Sequence, residues 1–87
     1  MDLEVIWTPG HSPGSVCYLA RADQELFCGD TLFAGSIGRT DLPGGNMATL
    51  MNSLEQLRSL DPETTVVPGH GLYTTIGREL AANPFLQ

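Results

Sequence analysis

Thr64-Thr65-Val66-Val67-Pro68-Gly69-His70 is the stretch from which the rest of the chain can be read. Two threonines and two valines, all β-branched, favour a strand. Pro68 has no N–H to give to a ladder and ends it, and Gly69 permits a sharp departure that leaves His70 at the strand's end. Residues 3–11 repeat the device: Leu3-Glu4-Val5-Ile6-Trp7 is rich in strand formers, and Thr8-Pro9-Gly10 leads to His11. The chain has two histidines, and both stand third in a Pro-Gly-His tripeptide. A third apolar run, Glu25-Leu26-Phe27-Cys28-Gly29, delivers Asp30 in the same way.

Outward from these strand ends, residues 15–20 and 25–29 read as a hairpin around Arg21-Ala22-Asp23-Gln24. Cys17 and Cys28 are equidistant from that turn and are expected to face each other. Two buried, reduced thiols are the expectation for a non-secreted chain, although a disulfide is geometrically conceivable. Residues 34–45 have no period and carry four glycines, so they read as a loop. Asn46 is placed to cap a helix with apolar positions Met47, Leu50, Met51, Leu54 and Leu57, stopped at Asp61-Pro62. The Met47 and Met51 stripe reads as core packing. A second short helix is expected over residues 75–82, ended by Asn83-Pro84. The alternation is mixed α/β in one domain, residues 1–87.

Length and charge narrow the function classes. At 87 residues, with 41% apolar and 16% charged side chains, the chain suits one small globular domain or part of one. Four arginines and no lysine stand against ten acidic residues, a net charge of −6. No basic stripe exists to neutralise phosphates, so nucleic acid is not an expected partner. No apolar run reaches the ~20 residues that span a bilayer. The start, Met1-Asp2-Leu3-Glu4, is acidic where a signal peptide is basic. No membrane partner and a cytoplasmic location are expected.

Three strand ends that deliver His11, Asp30 and His70 suggest a shared metal site, since zinc, iron and manganese accept imidazole and carboxylate. The alternative is that both histidines are loop residues satisfied by the backbone and that Asp30 caps a helix through Thr31-Leu32-Phe33. Gly10-His11-Ser12-Pro13-Gly14 also matches the nucleophile-elbow pattern G-x-S-x-G. That reading fails, because Pro13 has no N–H for an oxyanion hole and a strand, not a helix, follows. In the long loop, Arg39 is a candidate bidentate clamp for a substrate carboxylate or amide, or else pairs internally with Asp41. The loop glycines make no phosphate-binding pattern.

Thr8-Pro9-Gly10-His11-Ser12-Pro13-Gly14-Ser15, Phe27-Cys28-Gly29-Asp30-Thr31-Leu32-Phe33, Gly38-Arg39-Thr40-Asp41 and Val67-Pro68-Gly69-His70-Gly71, in this order and spacing, resemble the metallo-β-lactamase superfamily. Its bacterial glyoxalase II-like hydrolases are the branch meant, and Thr74-Thr75-Ile76-Gly77-Arg78-Glu79 with Asn83-Pro84-Phe85-Leu86 is similar to the tail of short members. A persulfide-oxygenating branch with one iron shares the Gly38–Asp41 pattern, but Gly71 after His70 leans toward the hydrolases.

The resemblance implies half of a four-layer αββα sandwich, with a mixed or antiparallel sheet and two helices. It implies His11 as a ligand of one metal, Asp30 as the carboxylate bridging two, and His70 as a ligand of the second. The metal would be zinc, or else iron or manganese. The implied chemistry is attack of metal-acidified water on a thioester or other acyl carbonyl of a small molecule, with Asp30 catalytic and Arg39 at the substrate. The family's His-x-His-x-Asp-His motif, which supplies the remaining ligands, has no counterpart here, so the site is expected to be incomplete and the lone monomer inactive. A half-sandwich bares one sheet face, and a homodimer that covers it is expected. The alternative function is a non-catalytic, self-associating module that keeps the fold.

Overall fold

The computed structural model describes residues 2–86. In chain order the elements are β1 (Glu4–Trp7), β2 (Val16–Ala20), β3 (Glu25–Gly29), β4 (Leu32–Phe33), β5 (Ser36–Ile37), α1 (Met47–Arg58), β6 (Thr65–Pro68), β7 (Thr74–Thr75) and α2 (Ile76–Ala82). Five strands form one sheet in the order β1-β2-β3-β6-β7. Among the described residues only the β3–β6 pairing is parallel. Parallel neighbours require a long crossover, which is why α1 lies between them in sequence. The mixed sheet and two helices agree with the expected fold class.

The hairpin register follows the expected spacing. Tyr18 pairs with Phe27, Leu19 with Leu26 and Ala20 with Glu25 around a 3-10 turn at Arg21–Asp23, with Gln24 in the left-handed conformation. Cys17 and Cys28 are both buried free thiols. A hydrogen bond between the two thiols is the main influence that lowers Cys17 to about 7, and the same contact, with burial, pushes Cys28 up.

One sheet face carries the core. Cys17, Leu19, Leu26, Cys28 and Val66 are buried there with Leu50, Leu54 and Leu57 of α1 and Ile76 of α2. Asn46 caps α1 by accepting from the Thr49 N–H at 2.9 Å, and Thr75 caps α2 by accepting from the Arg78 N–H at 3.1 Å. The opposite face is different. Val5 pairs with Tyr18, Tyr18 with Phe27 and Phe27 with Val67, so the four form one row on one side of the sheet. Val5 and Trp7 are each 63% exposed and Tyr18 42%. No helix among the described residues is long and apolar enough to cross a membrane.

Three expectations need correction. Residues 34–45 are not all loop: Ser36–Ile37 pairs antiparallel with Leu32–Phe33 across a turn at Gly35, whose φ of +78° suits a residue without a Cβ. The same pairing makes Leu32–Phe33 a strand, so no helix follows Asp30 for it to cap. Met47 is 47% exposed rather than core, because it opens α1, where Asn46 and Ala48 are exposed as well, while Met51 does pack against the core.

Candidate metal centre

Strand ends of β1, β3 and β6 place the three candidate ligands at one edge. The Gly69 N–H donates to the Gly29 carbonyl at 2.7 Å, tying the ends of β3 and β6 together just before His70 and Asp30. The Asn46 N–H donates to the Gly10 carbonyl at 2.7 Å and anchors the turn before His11 to the start of α1. His11 Nε2 then lies 3.6 Å from Asp30 Oδ2, and His70 Nδ1 lies 3.5 Å from Asp30 Oδ1. Each imidazole faces its own oxygen of one carboxylate, at separations too long for strong hydrogen bonds.

The tautomer of His11 follows from its other nitrogen. Nδ1 lies 2.8 Å from the Arg39 carbonyl oxygen, which only accepts, so Nδ1 carries a proton and donates there, and Nε2 is the nitrogen turned toward Asp30. Backbone hydrogen bonds of this kind orient ligand imidazoles in metal sites. His70 is held differently: its ring packs on Phe33 with centroids 4.7 Å apart.

These three side chains lie on a cavity of about 600 Å³ whose other walls include Phe33, Ala34, Ile37, Arg39 and Leu72. That volume falls within the roughly 300–1,000 Å³ of small-molecule sites. Arg39 is brought to the cavity, but its guanidinium is engaged twice by Asp41, at 2.7 and 2.9 Å, the internal pairing weighed above. The paired charges hold Asp41 below the usual carboxylate range.

As a ligand set the residues fit a metal in type and direction, with imidazole nitrogen and carboxylate oxygen at one edge of a cavity. They do not make a whole site. Among the described residues, no three or more His, Cys, Asp or Glu side chains are arranged to hold an ion. One imidazole and one carboxylate oxygen per metal is about half of the four ligands a stable zinc site takes.

The family model for the metallo-beta-lactamase superfamily matches residues 1–70. The chain belongs to the metallo-beta-lactamase superfamily. Hydroxyacylglutathione hydrolase GloC of Haemophilus influenzae is 43% identical over 86 residues, covering 98% of this chain and 41% of that protein. Probable metallo-hydrolase YqgX of Bacillus subtilis is 51% identical over 85 residues, covering 97% of this chain and 40% of its own length. The crystal structure of TTHA1623 in a di-iron-bound form superposes with a TM-score of 0.94 at 51% identity, over 97% of this chain and 42% of that one. The chain thus spans about two fifths of the length of these metallo-beta-lactamase relatives, and its fold is a half-domain of theirs.

One residue behind the cavity wall escaped the sequence reading. Glu79, in α2, is 3% exposed and its carboxylate accepts from the Gly35 N–H at 2.8 Å, the Thr74 hydroxyl at 2.6 Å and Asn83 Nδ2 at 2.9 Å. Burial alone would raise this carboxyl, but those three donors and nearby Arg78 outweigh it and hold Glu79 below its ordinary value. A charge inside a short helix looks like a solvated face. The signal that could have found it is its spacing, five residues after Thr74 and four before Asn83.

Proposed function

We propose that this chain supplies part of a metal-dependent hydrolase site for acyl or thioester bonds of small molecules. The observation that carries the reading is the pair of imidazoles facing the two oxygens of Asp30 at the wall of a 600 Å³ cavity. GloC, a relative, is by its name a hydroxyacylglutathione hydrolase, which supports the thioester class. A bound metal in such a site lowers the pKa of water and polarises the acyl carbonyl. His11, Asp30 and His70 would hold it, as zinc, iron or manganese, and the di-iron relative supports iron as one choice.

The chain's other residues have definable tasks. The Arg39 carbonyl accepts from His11 Nδ1 and so turns Nε2 toward Asp30. Asp30 offers one oxygen to each imidazole's side. Phe33, Ile37 and Leu72 give the cavity apolar walls that would seat an acyl chain and exclude water. Arg39 reaches a substrate carboxylate only by releasing Asp41, an exchange that solvent exposure of both groups makes easy.

Metal content per chain, measured by elemental analysis, tests the reading together with thioester turnover before and after a chelator. The expectation is bound metal that drops in His11→Ala and His70→Ala, and chelator-sensitive turnover once the remaining ligands are supplied by a longer chain or a partner. Metal content that does not respond to either substitution overturns it.

A second reading, a self-associating module without chemistry, is favoured by one observation. Val5, Trp7 and Tyr18 lie exposed on a sheet face that no helix among the described residues covers. A second copy of the chain is the occupant proposed for that face.

A further inference from the structure

Two walls of the cavity come from segments far apart in sequence. The β4–β5 hairpin contributes Phe33 and Ile37, and the segment between β6 and β7 contributes His70 and Leu72. The hairpin makes no strand pairing with the main sheet. The His70 segment is tied at its start by Gly69 to Gly29 and at its end by the short β6–β7 pairing. Something must set the spacing between them.

We propose that Glu79 is a positioning residue that clamps these two walls together and so fixes His70 against Phe33. Its Oε1 takes the Gly35 N–H at the tip of the hairpin, 2.8 Å away, and its Oε2 takes the Thr74 hydroxyl at the end of the His70 segment, 2.6 Å away. One carboxylate therefore bonds both walls at once. Asn83 reinforces the hairpin side, since its Nδ2 donates to Glu79 Oε1 at 2.9 Å and to the Ser36 carbonyl at 3.0 Å. The Phe33–His70 ring contact at 4.7 Å lies where the two walls meet. Glu79 touches none of the candidate ligands, so it acts on the site only through these walls. The inference rests on the hydrolase reading solely for the purpose of the cavity.

The test reads His70 directly, in the 87-residue chain without metal or substrate. Because Phe33 packs on it, the His70 ring protons carry a ring-current displacement, separable from His11 by a His70→Ala spectrum. Thr74→Val removes the hydroxyl at nearly constant shape and leaves the hairpin arm in place. The expected result is loss of the His70 displacement with the Gly35 amide signal unmoved. Glu79→Gln can keep Oε1 on Gly35 and Asn83 and donate its amide to Thr74, so it retains the displacement where Glu79→Ala loses it.

A merely structural Glu79 predicts otherwise. Thr74→Val would then lower the melting midpoint, yet well below that midpoint its His70 signals would match those of the unmodified chain, and this outcome overturns the proposal. Should the protein take up no metal and cleave no thioester, the His70 result stands unaffected. Unmoved His70 signals in an active enzyme, conversely, sink the clamp and leave the hydrolase reading intact.

Discussion

Single residues at this edge act mainly by what they leave room for. Gly38 leaves no room for a side chain: a Cβ there would collide with the Asp30 carbonyl oxygen and crowd the Cβ of His11. Gly38→Ala is expected to abolish metal uptake while far-UV circular dichroism stays unchanged, and full uptake by that variant would count against the site. Glu79 makes a prediction about acid. Its folded-state pKa lies below the ordinary value of 4.5, so its stabilising effect is full above about pH 4.5 and disappears as pH falls through the lower folded value. Urea titrations across that window should show the unmodified chain losing stability more steeply than Glu79→Gln. The position of His11, Asp30 and His70 beyond strand ends could be read in advance, because each follows a glycine after an apolar strand. The facing of both imidazoles on one carboxylate could not, since it depends on Gly69 bonding Gly29 across a parallel pair.

Elements with a long period were legible and short ones were not. Asn46 and the spacing of Leu50, Leu54 and Leu57 marked α1, and these three leucines are buried as that spacing requires. The same stripe misled at Met47, and it hid Ser53, buried because its hydroxyl donates to the Pro9 carbonyl at 2.7 Å. The two-residue strands β4 and β5 carry no alternation to detect, and Gly35 reads as a breaker although it closes their turn. Leu54 sits 1% exposed between α1 and the sheet. Leu54→Ala is expected to cost about 2–5 kcal/mol through lost transfer energy and the residual cavity. The check is a lowered urea midpoint at an unchanged slope, and a cost within about 0.5 kcal/mol, as at a surface site, would mean α1 does not close the core.

For the molecule as a whole, the decisive feature is an α/β layer pair whose second sheet face stays bare. Such faces are normally covered, because apolar strands with free edges invite pairing. The four-strand row from Val5 to Val67 is suited to a copy of itself: a two-fold axis parallel to the strands, between β2 and β3, lays β1 of each chain over β6 of the other. Exposed Val5 and Trp7 would then meet the side of the sheet carrying Phe27 and Val67. Opposing this, each chain carries a net charge of −6. Salt at physiological strength screens beyond about 8 Å, while sheets packed face to face lie about 10 Å apart and gain apolar contact regardless. Sedimentation velocity at micromolar concentration should therefore show a dimer that tightens as salt is added. Trp7→Glu should shift it to monomer without unfolding, since Trp7 is already 63% exposed and gives up only its exposed bond from Nε1 to the Pro13 carbonyl, whereas Leu42→Glu, in the loop before α1 and outside the row from Val5 to Val67, should not. A stable monomer of 9.3 kDa at every salt concentration would show that the bare face tolerates water, and the self-associating reading would fall with it.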